Sequence, residues 1–156
     1  VYANTNVDVP ALPAEIYSLF DDKSCSAVFD VGGDDVGAKV LSGFIERILA
    51  EDYIHYFVIN TRRPMTRNPD EIEKMMMEIQ QGSRLKADRL VNNANLLGAS
   101  TPEIIAEASA IIGRVSSELS VPVGFISGMR EVLEKYKAEP ETERLYMDKF
   151  IKLQWE

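Results

Sequence analysis

Cysteine and histidine are almost missing from this chain: Cys25 and His55 each stand alone. A single cysteine excludes an intramolecular disulfide and a thiolate metal cluster. A single histidine leaves no His-based metal site and no Ser-His-Asp triad. Cys25 reads as an inert small residue, and His55, inside an apolar run, as a core histidine. Basic residues are also short, with 17 Lys and Arg against 25 Asp and Glu and a net charge of -8. That balance opposes general adsorption to nucleic acid or to an anionic membrane. No apolar run is long enough to cross a bilayer, and no signal peptide is legible. The scarcity of cysteine fits a reducing compartment, so a cytoplasmic location is expected.

What remains is a globular composition, 46% hydrophobic over 156 residues. That length suits one domain with a sizeable core. The chain opens on Val1, without an initiator methionine and on strand-like residues. Such a start fits a fragment or an ordered remnant of something longer.

Strand-like and helix-like segments alternate. "VYANTN" reads as a short strand and "LPAEIYSLFD" as a short helix with Pro13 in its first turn. "SAVFDV" reads as a buried strand. "DDVGAKVLSGFIERILAE" places Val36, Val40, Leu41, Phe44, Ile45 and Ile48 on one helical face, with Asp34 and Asp35 suited to its positive N-terminus. "YIHYFVIN" is a β-branched and aromatic strand. "PDEIEKMMMEIQQGSRL" is a helix capped by Asn68 and opened by Pro69. "ADRLVNNANL" holds another strand. "GASTPEIIAEASAIIGRVSSELS" is a loop and a helix, with Thr101 as cap and Pro102 at the first position. "VPVGFISG" reads as the last strand, and residues 129–156 as two helices broken near Pro140. About five strands alternating with helices predict a mostly parallel sheet in a three-layer α/β fold, with helices on both faces.

The stretch "VFDVGGDDVGAKV", residues 28–40, nearly spells a phosphate-binding loop. Gly32 and Gly37 have the right spacing. A P-loop, however, places lysine directly after the second glycine and a hydroxyl next. Here Ala38 takes the first of those positions and Lys39 the second, about 100° further round the helix. Asp34 and Asp35 would also face phosphate charge inside the cradle. The residues themselves fit two other readings. In one, Asp30 ends a strand and orders magnesium or its water shell, while Gly32 and Gly33 let the backbone reach the γ-phosphate. In the other, Asp30 and the glycines only turn a strand into a helix.

Four pieces, "AVFDVGGDDVGAKVL", "YFVINTRRPMT", "ADRLVNNANLLGAST" and "VPVGFI", occur in an order and spacing that resemble ParA/MinD/CobQ-like P-loop ATPases. The likeness is greatest to the bacterial branch whose aspartate strand ends in D-x-G-G-D. It covers nearly the whole chain after residue 8. It implies a P-loop NTPase-like, doubly wound fold, Mg-ATP binding and nucleotide-dependent homodimerisation. Asp30 matches the second acidic motif, a catalytic and magnesium position. Gly33, after Gly32, matches the glycine near the γ-phosphate. Asn92 and Asn93 end a strand where the family sets an asparagine against the base. The strand-loop-helix that carries the family's lysine is not in this sequence, so the chain alone is expected to be inactive. An ATP-dependent ligase and a non-enzymatic interaction module on the same fold stay open. Arg62, Arg63 and Arg67 form a local basic cluster, suited to phosphate, a partner or plain solvation.

Overall fold

A computed structural model describes residues 16–33, 35–137 and 142–148. It is an α/β structure with a four-stranded, all-parallel sheet. The chain divides into two compact units. Unit 1 comprises Val1–Tyr53 and Ile79–Leu85, and unit 2 comprises Ile54–Glu78 and Lys86–Glu156.

Unit 1 is helical in its described part. It holds α1 (Ile16–Asp21), α2 (Asp35–Ser42), α3 (Ile45–Leu49) and the last turn of α4 (Pro69–Ser83). Phe20, Ile48 and Leu85 are its buried core, with Ile16, Leu41, Phe44, Ile45 and Tyr53 packed against them. The single helix expected from residue 34 to 51 is broken at Gly43 and Phe44. There the chain makes tight i→i−3 bonds, Gly43 N–H to the Val40 carbonyl and Phe44 N–H to the Leu41 carbonyl. Glycine costs a helix interior about 1 kcal/mol relative to alanine. The break lets Phe44 stack with Phe20 at 6.1 Å and meet Tyr17 at 5.1 Å.

The buried strand expected at "SAVFDV" is not there. Residues 26–31 form no strand, and Val28 is 96% exposed. An apolar run becomes a strand only when a neighbour takes up its N–H and C=O groups, and this run has no such partner among the described residues. The strand expected at "VYANTN", Pro13, Asp34 and the break at Pro140 lie outside the described residues.

Unit 2 carries the sheet, in the order β1 (Tyr56–Ile59), β2 (Arg89–Asn92), β3 (Val123–Met129), β4 (Arg144–Met147). Sequential order means that every crossover steps the same way across the sheet. Residues 69–78 of α4 connect β1 towards β2. α4 starts as the sequence predicts, with the Asn68 side chain accepting from Glu71 N–H at 3.0 Å and Glu71 accepting from Arg67 N–H at 2.8 Å. α5 (Pro102–Leu119) starts at Thr101, whose hydroxyl accepts from Ile104 N–H, and ends at Ser120 in the left-handed region, φ 55°. Glu103 in its first turn is held below the ordinary carboxylate range by hydrogen bonds from its own backbone N–H and from Thr101. Ile105, Ala108, Ile112 and Val115 recur at helical spacing and are buried. α5 and the short α6 (Arg130–Leu133) bury Ile105, Ile126 and Leu133 together.

Arg144–Met147, expected within a terminal helix, are a strand instead. β4 pairs along β3 from Ile126↔Arg144 to Met129↔Met147. Arg144 also donates to the Leu133 and Tyr136 carbonyls at 3.0 and 3.3 Å. Those carbonyls lie at and just beyond the end of α6, where helices leave acceptors unsatisfied. Non-local pairing thus overrides the local pattern.

Candidate functional site

In open parallel sheets, ligands bind outside the carboxyl ends of the strands. Here the ends of β1 and β2 supply Asn60, Thr61, Asn92 and Asn93, and the backbone joins them directly. Asn93 N–H donates to the Ile59 carbonyl at 2.8 Å.

Asn60 fixes the first loop. Its Oδ1 accepts from Arg62 N–H at 3.0 Å, and its carbonyl accepts from Arg63 N–H and from the Thr66 hydroxyl at 2.8 Å. Its Nδ2 reaches across to the Asn95 carbonyl at 3.2 Å. Asn95 and Ser100 fix the second loop. Asn95 Oδ1 accepts from Leu97 N–H and from the Ser100 hydroxyl, which itself accepts from Leu96 N–H at 2.7 Å. Each loop holds one non-glycine residue in the left-handed region, Met65 at φ 69° and Leu97 at φ 53°. Such conformations cost free energy and persist where surrounding bonds dictate them.

The two asparagines that end β2 differ in kind. Asn92 is 1% exposed. Its Nδ2 donates to the Ile105 carbonyl at 3.3 Å and to Ser109 Oγ at 2.9 Å, and its Oδ1 accepts from Ala94 N–H at 3.1 Å. Tyr136 donates to the same Ser109 hydroxyl at 3.0 Å. This amide has its hydrogen-bonding capacity filled from within, and it ties β2 to α5. Asn93 is half-buried, and its Oδ1 is buried without a hydrogen-bond partner. Buried carbonyl oxygens are rarely left so. Of the expected pair, Asn93 is therefore the one whose amide oxygen is left unfilled.

Arg62 pairs with Glu107 on α5, and both side chains are substantially exposed. Arg63 and Arg67 are exposed on the same loop.

Asp30, Gly32 and Gly33 belong to unit 1, whereas Asn92 and Asn93 belong to unit 2. Asp30 is exposed in a segment without regular secondary structure, one residue after Phe29, whose ring stacks on Phe20 at 5.8 Å. A Cβ on Gly37 would lie 2.9 Å from the Gly32 carbonyl oxygen. The P-loop-like spacing of these glycines thus brings backbone against backbone at the start of α2. A Cβ on Gly33 would meet nothing within 4 Å. Among the described residues, no three His, Cys, Asp or Glu side chains come together as a metal site, and no helix is long and apolar enough to cross a membrane.

Sequence reasoning did not find Asn95, Ser100, Ser109, Tyr136 or Arg144. The asparagine-rich run "NNAN" was a signal for the first. The others act through hydrogen bonds to residues 4 to 27 positions away, for the most part tertiary contacts that leave no local pattern. Comparison of the chain with protein-family models, with curated proteins and with solved structures found no match.

Proposed function

We propose that the chain is part of a nucleotide-binding protein of the ParA/MinD/CobQ-like class, a regulatory or partitioning-type ATPase in its longer form. The observation that carries the proposal is the buried, unpartnered amide oxygen of Asn93 at the carboxyl edge of a parallel sheet. Its N–H-seeking acceptor, beside an amide donor, suits the edge of adenine, which offers both an amino group and a ring nitrogen. The order of the four sequence motifs supports the same reading, as does the all-parallel sheet. The three-layer, P-loop NTPase-like arrangement belongs to this proposal.

Within it, Asp30 and Gly33 serve the phosphate end. Magnesium keeps several waters and takes one or two carboxylates together with phosphate oxygens. An exposed Asp30 fits that role when the nucleotide brings its phosphates. The metal, when bound, neutralises charge on the transferring phosphoryl group. In unit 1, Asp30 would order its water shell and the Gly33 amide would approach phosphate. The lysine and glycine cradle that make most phosphate contacts would come from upstream. Binding by this chain alone is therefore weak. The exposed setting of residues 26–33 favours a second reading, an interaction module that keeps the fold without turnover. An upstream coding sequence with an intact G-K-[ST] loop supports the ATPase, and its absence supports the module.

The test is an NMR titration of the chain with ATP and magnesium. Weak, millimolar binding is expected, with shifts at Asn60, Asn93 and Asn95 that vanish in Asn93→Ala. No shift there at any concentration contradicts the proposal. Tight, magnesium-dependent binding centred on Gly32 to Gly37 would contradict it too, and would restore the P-loop reading of that stretch.

A further inference from the structure

β4 is held to the rest of unit 2 by more than its ladder with β3. Arg144 donates from Nη1 to the Leu133 carbonyl at 3.0 Å and from Nη2 to the Tyr136 carbonyl at 3.3 Å. The Arg130 guanidinium of α6 lies over the Tyr146 ring, 4.4 Å from its centroid. These contacts land on α6 or on the residues just after it. Tyr136 is the residue that reaches further. Its carbonyl takes one of the Arg144 bonds, and its hydroxyl donates to Ser109 Oγ of α5 at 3.0 Å. Its ring packs against the buried Ile105, Ile126 and Leu133. Ser109 Oγ also accepts from Asn92 Nδ2 at 2.9 Å, and Asn92 Oδ1 accepts from Ala94 N–H at 3.1 Å.

Arg144 and Asn92 stand in one row across the sheet, each in register with Ile126 of β3. Two strand spacings separate them, about 9.5 Å, too far for a direct bond. The side-chain route between them runs over α6 and α5, through Tyr136 and Ser109. A hydroxyl has two acceptor lone pairs and a proton that rotates to suit its surroundings. On Ser109 both acceptor positions are taken, one by Tyr136 and one by Asn92. Tyr136 thus fixes the rotor with a lone pair towards Asn92. Without the phenol the hydroxyl turns freely, and the Asn92 amide meets a lone pair only part of the time.

We propose that Tyr136 is a positioning residue that couples the docking of β4 to the strand end at Asn92 and Ala94. With β4 docked, Arg144 holds the Tyr136 backbone, the phenol stays on Ser109, and the Asn92 amide is filled. With β4 released, Tyr136 loses that donor, the phenol leaves Ser109, and the turn after β2 loosens. β4 suits the moving part. It has four residues, none of them buried, and elements with few buried contacts open at the lowest cost. Such coupling is reciprocal. A partner that takes up β4 loosens the carboxyl end of β2, and a ligand that grips that end favours docked β4. The device lies within unit 2 and does not depend on the nucleotide reading.

NMR of the whole chain without nucleotide tests it, reading the Asn92 side-chain amide and the Ala94 backbone amide. Tyr136→Phe keeps the ring and removes the hydroxyl. It should move both signals upfield, as amide protons do when their hydrogen bonds slacken. Arg144→Ala should move them the same way by a smaller amount. In the Tyr136→Phe background, Arg144→Ala should add no further shift at Asn92, because the route is already cut. If Arg144→Ala does not fold, Arg144→Lys carries the same comparison, since lysine lacks the fork that bridges two carbonyls. An unmoved Asn92 amide in Tyr136→Phe overturns the inference. So does an Arg144 substitution that folds and leaves Asn92 unmoved. An Arg144 shift of equal size with and without the phenol overturns it as well, because the coupling would then run through the β3 ladder.

Discussion

Two stretches of this chain look alike on paper. "AVFDVGG" and "RLVNNAN" are each an apolar, β-branched run that ends in a polar side chain and a turn. In unit 2 the second becomes β2, flanked on both sides by parallel strands. In unit 1 the first forms no strand, with Val28 96% exposed. The difference shows that an apolar run proposes a strand and its neighbours decide. β2 has a ladder on either side and α5 across one face. Residues 26–31 have no ladder among the described residues.

Asn92→Ala should break the contrast most severely. It removes two donated bonds and one accepted bond and takes from the Ala94 N–H the side-chain acceptor it has in the folded chain. A loss of about 2–4 kcal/mol is expected, typical of a disrupted buried network. Urea denaturation checks it, and Asp30→Asn in unit 1 should change the midpoint little under the same conditions. In the longer protein, Asp30→Asn should instead reduce ATP turnover with the fold intact. An unchanged rate there removes the magnesium role.

Gly37→Ala comes next. Its Cβ would sit 2.9 Å from the Gly32 carbonyl oxygen, so backbone must move. The expected cost is about 1–3 kcal/mol, as for overpacking. Gly33→Ala, with open space around it, should stay within about 0.5 kcal/mol of wild type. Equal effects would mean that the glycine spacing carries no backbone packing.

Ser109→Ala is smaller, about 1 kcal/mol for the loss of a shared hydroxyl. It should lower the urea midpoint of the sheet unit without removing the nucleotide-induced shift at Asn93. Glu103→Gln is smaller again. The Glu103 carboxyl is depressed in the folded chain by hydrogen bonds from its own N–H and from Thr101. Its contribution is present above the ordinary carboxylate range and lost as pH falls through the folded value. The substitution should flatten a slight acid-side decline in thermal midpoint.

Much of unit 2 was legible because its signals are local. Asn68 with Pro69, and Thr101 with Pro102, announce helix starts that depend on neighbours one to three residues away. The strands at Tyr56 and Arg89 carry dense β-formers between turns. Three features were not legible. The strand at "SAVFDV" failed for want of a partner. β4 was hidden because "ERLYM" has helical spacing, and only pairing with β3 and the Arg144 bonds to α6 make it a strand. The single helix over residues 34 to 51 broke where aromatic packing of Phe44 outweighed periodicity. At the site, the sequence marked Asn92 and Asn93 as one pair. Their separation into a filled amide and an unfilled one depends on Ser109 and Ile105, at least 13 residues away.

Asn93→Ala, measured beside Asn92→Ala for urea stability and for response to ATP, is the most direct test. The account predicts that Asn93→Ala keeps stability within about 0.5 kcal/mol of wild type, because its buried oxygen bonds nothing in the folded chain. It should also lose the nucleotide-induced shifts at Asn60 and Asn95. If Asn93→Ala is as destabilised as Asn92→Ala, or if it responds to nucleotide like wild type, Asn93 is a structural residue and the assignment of this edge as a base-reading site is contradicted.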